Sequence, residues 1–346
     1  MVTSGTKIES RLPPFIWSTF RSIKAATMMT LGVTMLARSV VGISKPVTHF
    51  VFAEEGNLTA IADIIRRPDI HGAQMIYNWK QLETSKGHYN FSAIDADLQV
   101  LETIDPAKRL FIQIQDRFDL PGNETKRVPE YLLVEPEYEG GLYMQVSSDT
   151  HLPAGWQTKH WVPAVRHRFQ ELLTALGQKL DGKIFGINLP ETAFAYDGDL
   201  PQSICDGYFE GQMENLNNAS YAFPKSVVIQ YMNFWPCENP PTDQPYMKRA
   251  FAEAVSKKTF GLGGPDVKPW KYTQMINSYH FFNETRHELS HVAMAVQSPD
   301  LGLMNPRTNQ TYTLDDFKSF SQDYLGADIM FWTSQMFNQT YPPLFE

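Results

Sequence analysis

Three acidic side chains stand where they could act together on one bond: Glu191 in Asn188-Leu-Pro-Glu191, Asp266 in Gly263-Gly-Pro-Asp266 and Asp300 in Gln297-Ser-Pro-Asp300. Each lies just past the end of a short apolar run. Two carboxyls flanking a glycosidic bond can split it, one protonating the departing oxygen while the other attacks or activates water. The structural alternative is that Pro-Asp forms a turn or helix start at Asp266 and Asp300, and that Glu191 caps the next helix.

A second pattern suggests different chemistry. His287-Glu288-Leu289-Ser290-His291 fits H-E-x-x-H, in which two His one helical turn apart hold zinc and the Glu activates water. Its surroundings argue against that use. Arg286 would set a positive charge beside the cation, and no Glu follows before Glu346. The pattern also straddles the end of an expected helix and the start of a strand. No metal and no cofactor is therefore expected.

Amides, acids and indoles follow the other apolar runs: Glu54 and Glu55, Asn78 and Trp79, Gln115 and Asp116, Tyr231, Asn233 and Trp235, Gln297, and Trp332. Such a set describes a neutral, polyhydroxylated ligand, since amides and carboxylates bond hydroxyls and indoles stack on sugar C–H faces. Cations are scarce among these residues, which fits phosphorylated ligands poorly. The expected partner is a carbohydrate. A core role is the alternative for each Trp.

The elements that must position these residues alternate. Eight strands are expected, at 48–53, 72–78, 109–115, 183–189, 226–232, 259–263, 291–297 and 327–332, each rich in branched or aromatic residues as strands buried on both faces should be. Helical periodicity fills 58–67, 92–104, 162–180, 203–217, 245–258, 274–289 and 314–324. Eight βα repeats imply an α/β fold, a (β/α)8 TIM barrel whose functional residues lie at the C-terminal ends of the strands. An open doubly wound sheet lacks support, because no Gly-rich phosphate turn follows the first strand. Gln113 and Gln115 alternate along strand three and so face inward together. Residues 116–160 form an enlarged loop after strand three, on the functional face, and long insertions of this kind usually serve function.

The segment Trp79-Lys-Gln-Leu-Glu83-Thr-Ser-Lys-Gly87-His-Tyr89-Asn-Phe91-Ser-Ala-Ile94-Asp95 resembles the W-x3-E-x3-G-x-Y/F-x-F/W-x2-I/L-D signature after strand two of clan A glycoside hydrolases. The resemblance extends over residues 48–335 at the level of architecture and identifies no particular family within the clan. It implies a glycosidase with Glu191, at the tip of strand four, as general acid, although two residues separate it from Asn188 where the clan usually has Asn-Glu. Trp332 matches the aromatic residue that the clan places after strand eight. Strand seven departs from the pattern. Retaining members carry a nucleophilic Glu there, whereas this chain has Gln297, with Asp300-Leu-Gly302 in place of Glu-x-Gly. The partner carboxylate is then Asp300 or Asp266, and a barrel that binds sugar without cleaving it is the alternative.

Composition sets the remaining bounds. The chain of 346 residues carries 30 basic and 38 acidic side chains, a net charge of -8, and no basic run, which excludes a nucleic acid partner. Arg11, Arg21 and Lys24 precede the apolar stretch 25–37, too short to span a bilayer and similar to the core of a signal peptide. Residues 1–45 are therefore read as an export segment or N-terminal extension and 46–346 as the barrel, the protein being secreted or periplasmic, with no membrane partner beyond that signal. Two cysteines, Cys205 and Cys237, exclude a cysteine-based metal site; an exported protein could pair them, and two buried thiols are the alternative.

Overall fold

A computed structural model describes residues 46–122 and 126–337, so the expected export segment lies outside the described residues. Eight parallel strands close into a barrel. They are β1 (Thr48–Phe52), β2 (Gly72–Asn78), β3 (Arg109–Gln115), β4 (Gly186–Leu189), β5 (Val227–Tyr231), β6 (Gly261–Gly264), β7 (Val292–Val296) and β8 (Ile329–Thr333), with β8 pairing back onto β1. The expected (β/α)8 fold is thus present, and each expected strand overlaps one barrel strand. The main differences lie at strand starts: β4 begins at Gly186, not 183, and β6 at Gly261, not 259.

Alternation along each strand divides two cores. Inward residues Phe50 and Phe52 of β1, Phe111 of β3, Ile229 and Tyr231 of β5 and Phe331 of β8 fill the barrel interior. Outward residues such as Val51, Ile112, Ile187, Leu262, Met294 and Met330 pack under the helices. This is the period-two rule applied to strands covered on both faces. Aromatic rings fill the barrel on the β1, β3 and β8 side, while β6 and β7 turn only Gly261, Gly263, Ala293 and Ala295 inward. At Gly263 a Cβ would lie 2.1 Å from the Ala293 carbonyl oxygen, so the residue must be glycine for β6 and β7 to approach.

The helices behind the strands include Ser92–Ile104, Pro163–Leu180, Gln202–Ala222 and Pro245–Lys257. The expected helix at 58–67 is shorter, a 3-10 turn Leu58–Ile61 followed by Ala62–Ile65. Among the described residues no helix is long and apolar enough to cross a membrane.

The insertion after β3 is a built element. Leu142–Val146 and Pro153–Thr158 form an antiparallel hairpin, and Phe118 and Trp156 exchange backbone hydrogen bonds at 2.7 and 3.0 Å. Gly155 permits that pairing, since a Cβ there would lie 2.0 Å from the Phe118 carbonyl oxygen. Both ends of the insertion are held by one buried cluster: Asp116 Oδ2 lies 2.6 Å from His160 Nε2, and His160 Nδ1 lies 3.1 Å from Asn215 Nδ2 on helix Gln202–Ala222.

The segment 79–95 is likewise architectural. Glu83, fully buried, accepts from the Trp79 indole at 2.8 Å and from the Gly87 amide at 2.8 Å, and pairs with Arg168. Gly87 (φ +75°) makes the turn that places its amide there. The two cysteines form a disulfide, with Cα atoms 6.2 Å apart. Cys205 lies in helix Gln202–Ala222.

Candidate active site

The inward-facing row of β3 continues past the strand end as Gln113, Gln115, Arg117 and Asp119. Gln113, Gln115 and Asp119, with Glu54 after β1 and Glu191 after β4, line a cavity of about 530 Å³ over the C-terminal end of the barrel, and Arg117 lies buried behind its wall. Small inward side chains on β6 and β7 leave room for it, and Phe52, Ile76 and Tyr231 give it an apolar floor.

Arg117 organises the acids. Its guanidinium, 3% exposed, donates through Nη1 to Glu191 and through Nη2 to Asp119 Oδ1 at 2.6 Å. Burial works against the charged form of Arg117, but Glu191 and Asp119 outweigh it and hold the group above its ordinary pKa. Gln145, from the hairpin, lies 3.4 Å from Nη2, donates to Asp119 Oδ1 at 3.3 Å and accepts from the Ala195 amide at 2.9 Å. The hairpin thus ties Arg117 and Asp119 to the segment that follows Glu191.

Glu191 uses both oxygens as acceptors, one from Arg117 and the other from Asn233 Nδ2 at 3.1 Å. Asn233 is fixed in turn by its amide, which donates to Thr192 Oγ1 at 3.1 Å. Asp119 differs. Both of its bonds fall on Oδ1, and no described residue engages Oδ2. Its side chain is 66% exposed at the cavity mouth. The Asp119 carboxyl is nevertheless held above the usual aspartate range, first by the low-dielectric protein around the cleft and then by the charges of Glu191 and Asp266, with Arg117 opposing them.

The other two acids named from the sequence sit differently. Asp266 pairs with Lys268 at 2.9 Å and borders a small pocket beside the main cavity. Asp300, 1% exposed, accepts from the Gln297 amide at 2.9 Å and caps the 3-10 turn Ser298–Gly302, the turn role weighed for Pro-Asp. It does not line the cavity. Burial foremost, with the Asp266 charge second, pushes the Asp300 carboxyl up to about 7.

Of the binding residues expected from sequence, Gln115, Tyr231 and Gln297 line the cavity, the last with its Nε2 donating to the Pro265 carbonyl at 3.0 Å. Asn78 does not line it; its side chain accepts from the Gln81 amide and caps the turn Trp79–Leu82. Asp116 is buried against His160, and Asn188 is buried with its amide donating to the Leu189 carbonyl.

The three tryptophans expected at the site do not line the cavity. Trp79 packs edge-on against Phe169, Trp235 packs against Phe209, and Trp332 bonds His49 Nδ1 at 2.9 Å, all within the core between barrel and helices. Parity explains Trp332: its neighbour Phe331 points inward, so Trp332 must point outward. The aromatic surfaces at the cavity are Phe52, Phe118 and Tyr231 instead.

Cations are also less scarce than expected. Arg117, Arg127 and Lys268 reach the site, each tied to a carboxylate, Arg127 to Glu55 at 2.7 Å. Arg117 and Asp119 carry a sequence signal, the inward parity that Gln113 and Gln115 already established.

The H-E-x-x-H pattern does not form a metal site. The helix His280–Thr285 ends before His287, and His291 Nδ1 lies 2.9 Å from Asp328 Oδ2 just before β7. Among the described residues no group of three or more His, Cys, Asp or Glu side chains is arranged to hold a metal ion.

No protein-family model and no curated protein sequence matches the chain. Solved structures do. Endo-glycoceramidase II from Rhodococcus sp. superposes with a TM-score of 0.53 at 8% identity, over 84% of this chain and 73% of that one. The β-galactosidase from Bacillus circulans sp. alkalophilus gives 0.54 at 11% identity over 84% of this chain and 50% of that one. That from the Antarctic haloarchaeon Halorubrum lacusprofundi gives 0.53 at 10% identity, with 83% and 52% covered. The chain spans about half the length of both β-galactosidases. At these identities the likeness is one of fold alone: the chain has a closed (β/α)8 barrel that superposes on these enzymes.

Proposed function

We propose that the protein is a glycosidase that hydrolyses glycosidic bonds of an oligo- or polysaccharide, with Glu191 and Asp119 as its working carboxyls. The observation that carries this reading is the bridge between them: one buried guanidinium, that of Arg117, holds both acids at the wall of the same open cavity. The glycosidase names among the structural neighbours support it at the level of fold.

Sequence reasoning gives Glu191 the proton-donor role. Its hydrogen bonds favour the reverse assignment. Both Glu191 oxygens already accept from N–H groups, so a proton there would face a donor on either side. Asp119 has an oxygen that no described residue engages, open to the cavity. In this reading Asp119 protonates the leaving oxygen. Glu191 stays a carboxylate that either attacks the sugar or activates water, and Arg117 and Asn233 fix its direction. Asp266, paired with Lys268, contributes charge to the site and not a reacting group. Asp300 is a cap.

We read the protein as exported, to the exterior or a periplasm. A disulfide between Cys205 and Cys237 suits an oxidising compartment, and the apolar segment 25–37 suits a signal sequence.

The test is incubation of the purified protein with a panel of oligo- and polysaccharides while new reducing ends are measured. Release from at least one glycan is expected. Binding without release would favour the carbohydrate-binding alternative, which Gln297 at the end of β7 supports by standing where an acid would be needed.

A further inference from the structure

We propose that Glu54 is a substrate-binding residue, its carboxylate accepting hydrogen bonds from two adjacent hydroxyls of the bound sugar. This rests on the glycosidase reading for the ligand's general class and assigns the residue that holds it from the β1 side.

The strand places Glu54 at the ligand. Phe50 and Phe52 form the inward row of β1, and Glu54 follows in that row. Its exposed side chain lines the cavity beyond Phe52. Its backbone is fixed by the neighbouring strand. The Ala53 amide donates to the Gln74 carbonyl at 2.9 Å, and the Glu54 carbonyl accepts from the Ile76 amide at 2.8 Å. The pairing of β1 with β2 therefore carries on to Glu54 itself.

That backbone is left-handed, with φ +55°. Residues 53–56 form a tight turn, closed by the Gly56 amide on the Ala53 carbonyl at 2.9 Å, and Glu54 holds its first central position. A positive φ at that position favours Gly, because a Cβ there crowds the neighbouring carbonyl. Gly56 has a separate reason to be glycine: a Cβ on it would lie 2.7 Å from the Ala53 carbonyl oxygen. The turn thus explains the conformation of Glu54 but not its side chain, since Gly would make the same turn with less strain. Among the described residues seven non-glycine side chains sit on left-handed backbone, and Glu54 is the one that lines the cavity. A ligand-binding role accounts for strain held at the wall of a site.

The neighbouring acid gives the contrast. The Glu55 carboxylate is committed to Arg127 at 2.7 Å, whereas no described residue pairs with that of Glu54. A carboxylate only accepts, and it offers two oxygens side by side. It therefore matches two neighbouring hydroxyls on one sugar ring, one to each oxygen.

The test is calorimetric titration of the parent protein and of Glu54→Gly, Glu54→Ala and Glu54→Gln with a panel of tetrasaccharides, beside urea denaturation of each protein. The panel holds tetrasaccharides of glucose, mannose, galactose and xylose in α and β linkages. For the tightest-bound member, Glu54→Gly and Glu54→Ala should each weaken binding at least about 10-fold. Glu54→Gln keeps one acceptor oxygen and should lose less. The urea midpoint of Glu54→Gly should equal or exceed the parent's and should exceed that of Glu54→Ala, since Gly alone relieves the left-handed backbone. Unchanged binding in Glu54→Gly, a midpoint for that variant below the parent's, or no binding of any panel member by the parent would each overturn the assignment. Hydrolysis is scored separately, by reducing ends. A glycan bound through Glu54 and left intact defeats only the hydrolase reading, and one that is cleaved by the parent and bound equally well by Glu54→Gly defeats only the assignment of Glu54.

Discussion

Arg117 is ion-paired with Glu191 across 74 residues of sequence, and the pair lies where the inward row of β3 runs out over the barrel mouth. The guanidinium is buried, and its fork reaches a second acid as well. Taking away one side of a buried pair leaves the other charge uncompensated. Arg117→Met is therefore expected to destabilise the fold by about 3 kcal/mol, as measured by urea denaturation. Arg117→Lys keeps the charge but loses the two-pronged geometry, so glycan hydrolysis should fall at least about 10-fold with a smaller loss of stability.

Glu83 should behave as structure and not as chemistry. It is the shared acceptor of Trp79, Gly87 and Arg168. Glu83→Ala leaves Arg168 with Glu171 as its one remaining acidic partner among the described residues and strands the Trp79 indole N–H, and a loss of about 3 kcal/mol is expected from the urea midpoint. If hydrolysis collapses while the midpoint is unchanged, Glu83 belongs to the reaction instead.

Much of this was legible in the chain, and the exceptions share causes. The eight strands are readable because a strand covered on both faces must be a short run of branched and aromatic residues, and such runs recur between helical stretches. Inward parity is legible on β3, where Gln113 and Gln115 interrupt Ile112 and Ile114. It is not legible on β8, where Ile329, Met330, Phe331 and Trp332 are all apolar and nothing marks which face is inner. Trp332 was therefore expected in the cleft and lies outside the barrel. The role of Arg117 escapes local reading because its partner Glu191 comes from another strand. Asp300 shows the limit of a motif: Asp-Leu-Gly sits where Glu-x-Gly would, yet the three-residue reach from Gln297 makes it a cap.

Trp332→Phe tests that parity directly. The indole packs outside the barrel and bonds His49, so the substitution should lower the urea midpoint while leaving KM for any cleaved glycan within about 2-fold. A large rise in KM with unchanged stability would return Trp332 to the cleft.

The raised Asp300 carboxyl gives a pH dependence of defined sign. Its pKa is about 7 in the folded protein, against about 3.9 in an unfolded chain, so between these values the native state holds a proton that the unfolded state has lost. Stability from this group therefore falls as pH rises from about 4 to about 7 and stays reduced above that. Asp300→Asn keeps an oxygen for the Gln297 amide and removes the charge. Its urea midpoint relative to the parent protein should rise across that window and flatten outside it. A difference that does not vary with pH would contradict the assignment.

The disulfide closes a separation of 32 residues between Cys205 and Cys237. The chain-entropy relation gives it about 3–4 kcal/mol, so Cys205→Ser with Cys237→Ser should lower denaturant stability by that order. An unchanged midpoint would mean that the bond constrains little.

The account turns on Glu191 and Asp119 acting as a pair on one bond, and the most direct measurement is hydrolysis by Glu191→Gln and Asp119→Asn, each checked for an unchanged circular dichroism spectrum. A loss of about 10²–10⁴-fold in kcat for each variant, with glycan binding retained, is the expected result. Folded variants that release reducing ends within a few-fold of the parent rate would contradict it.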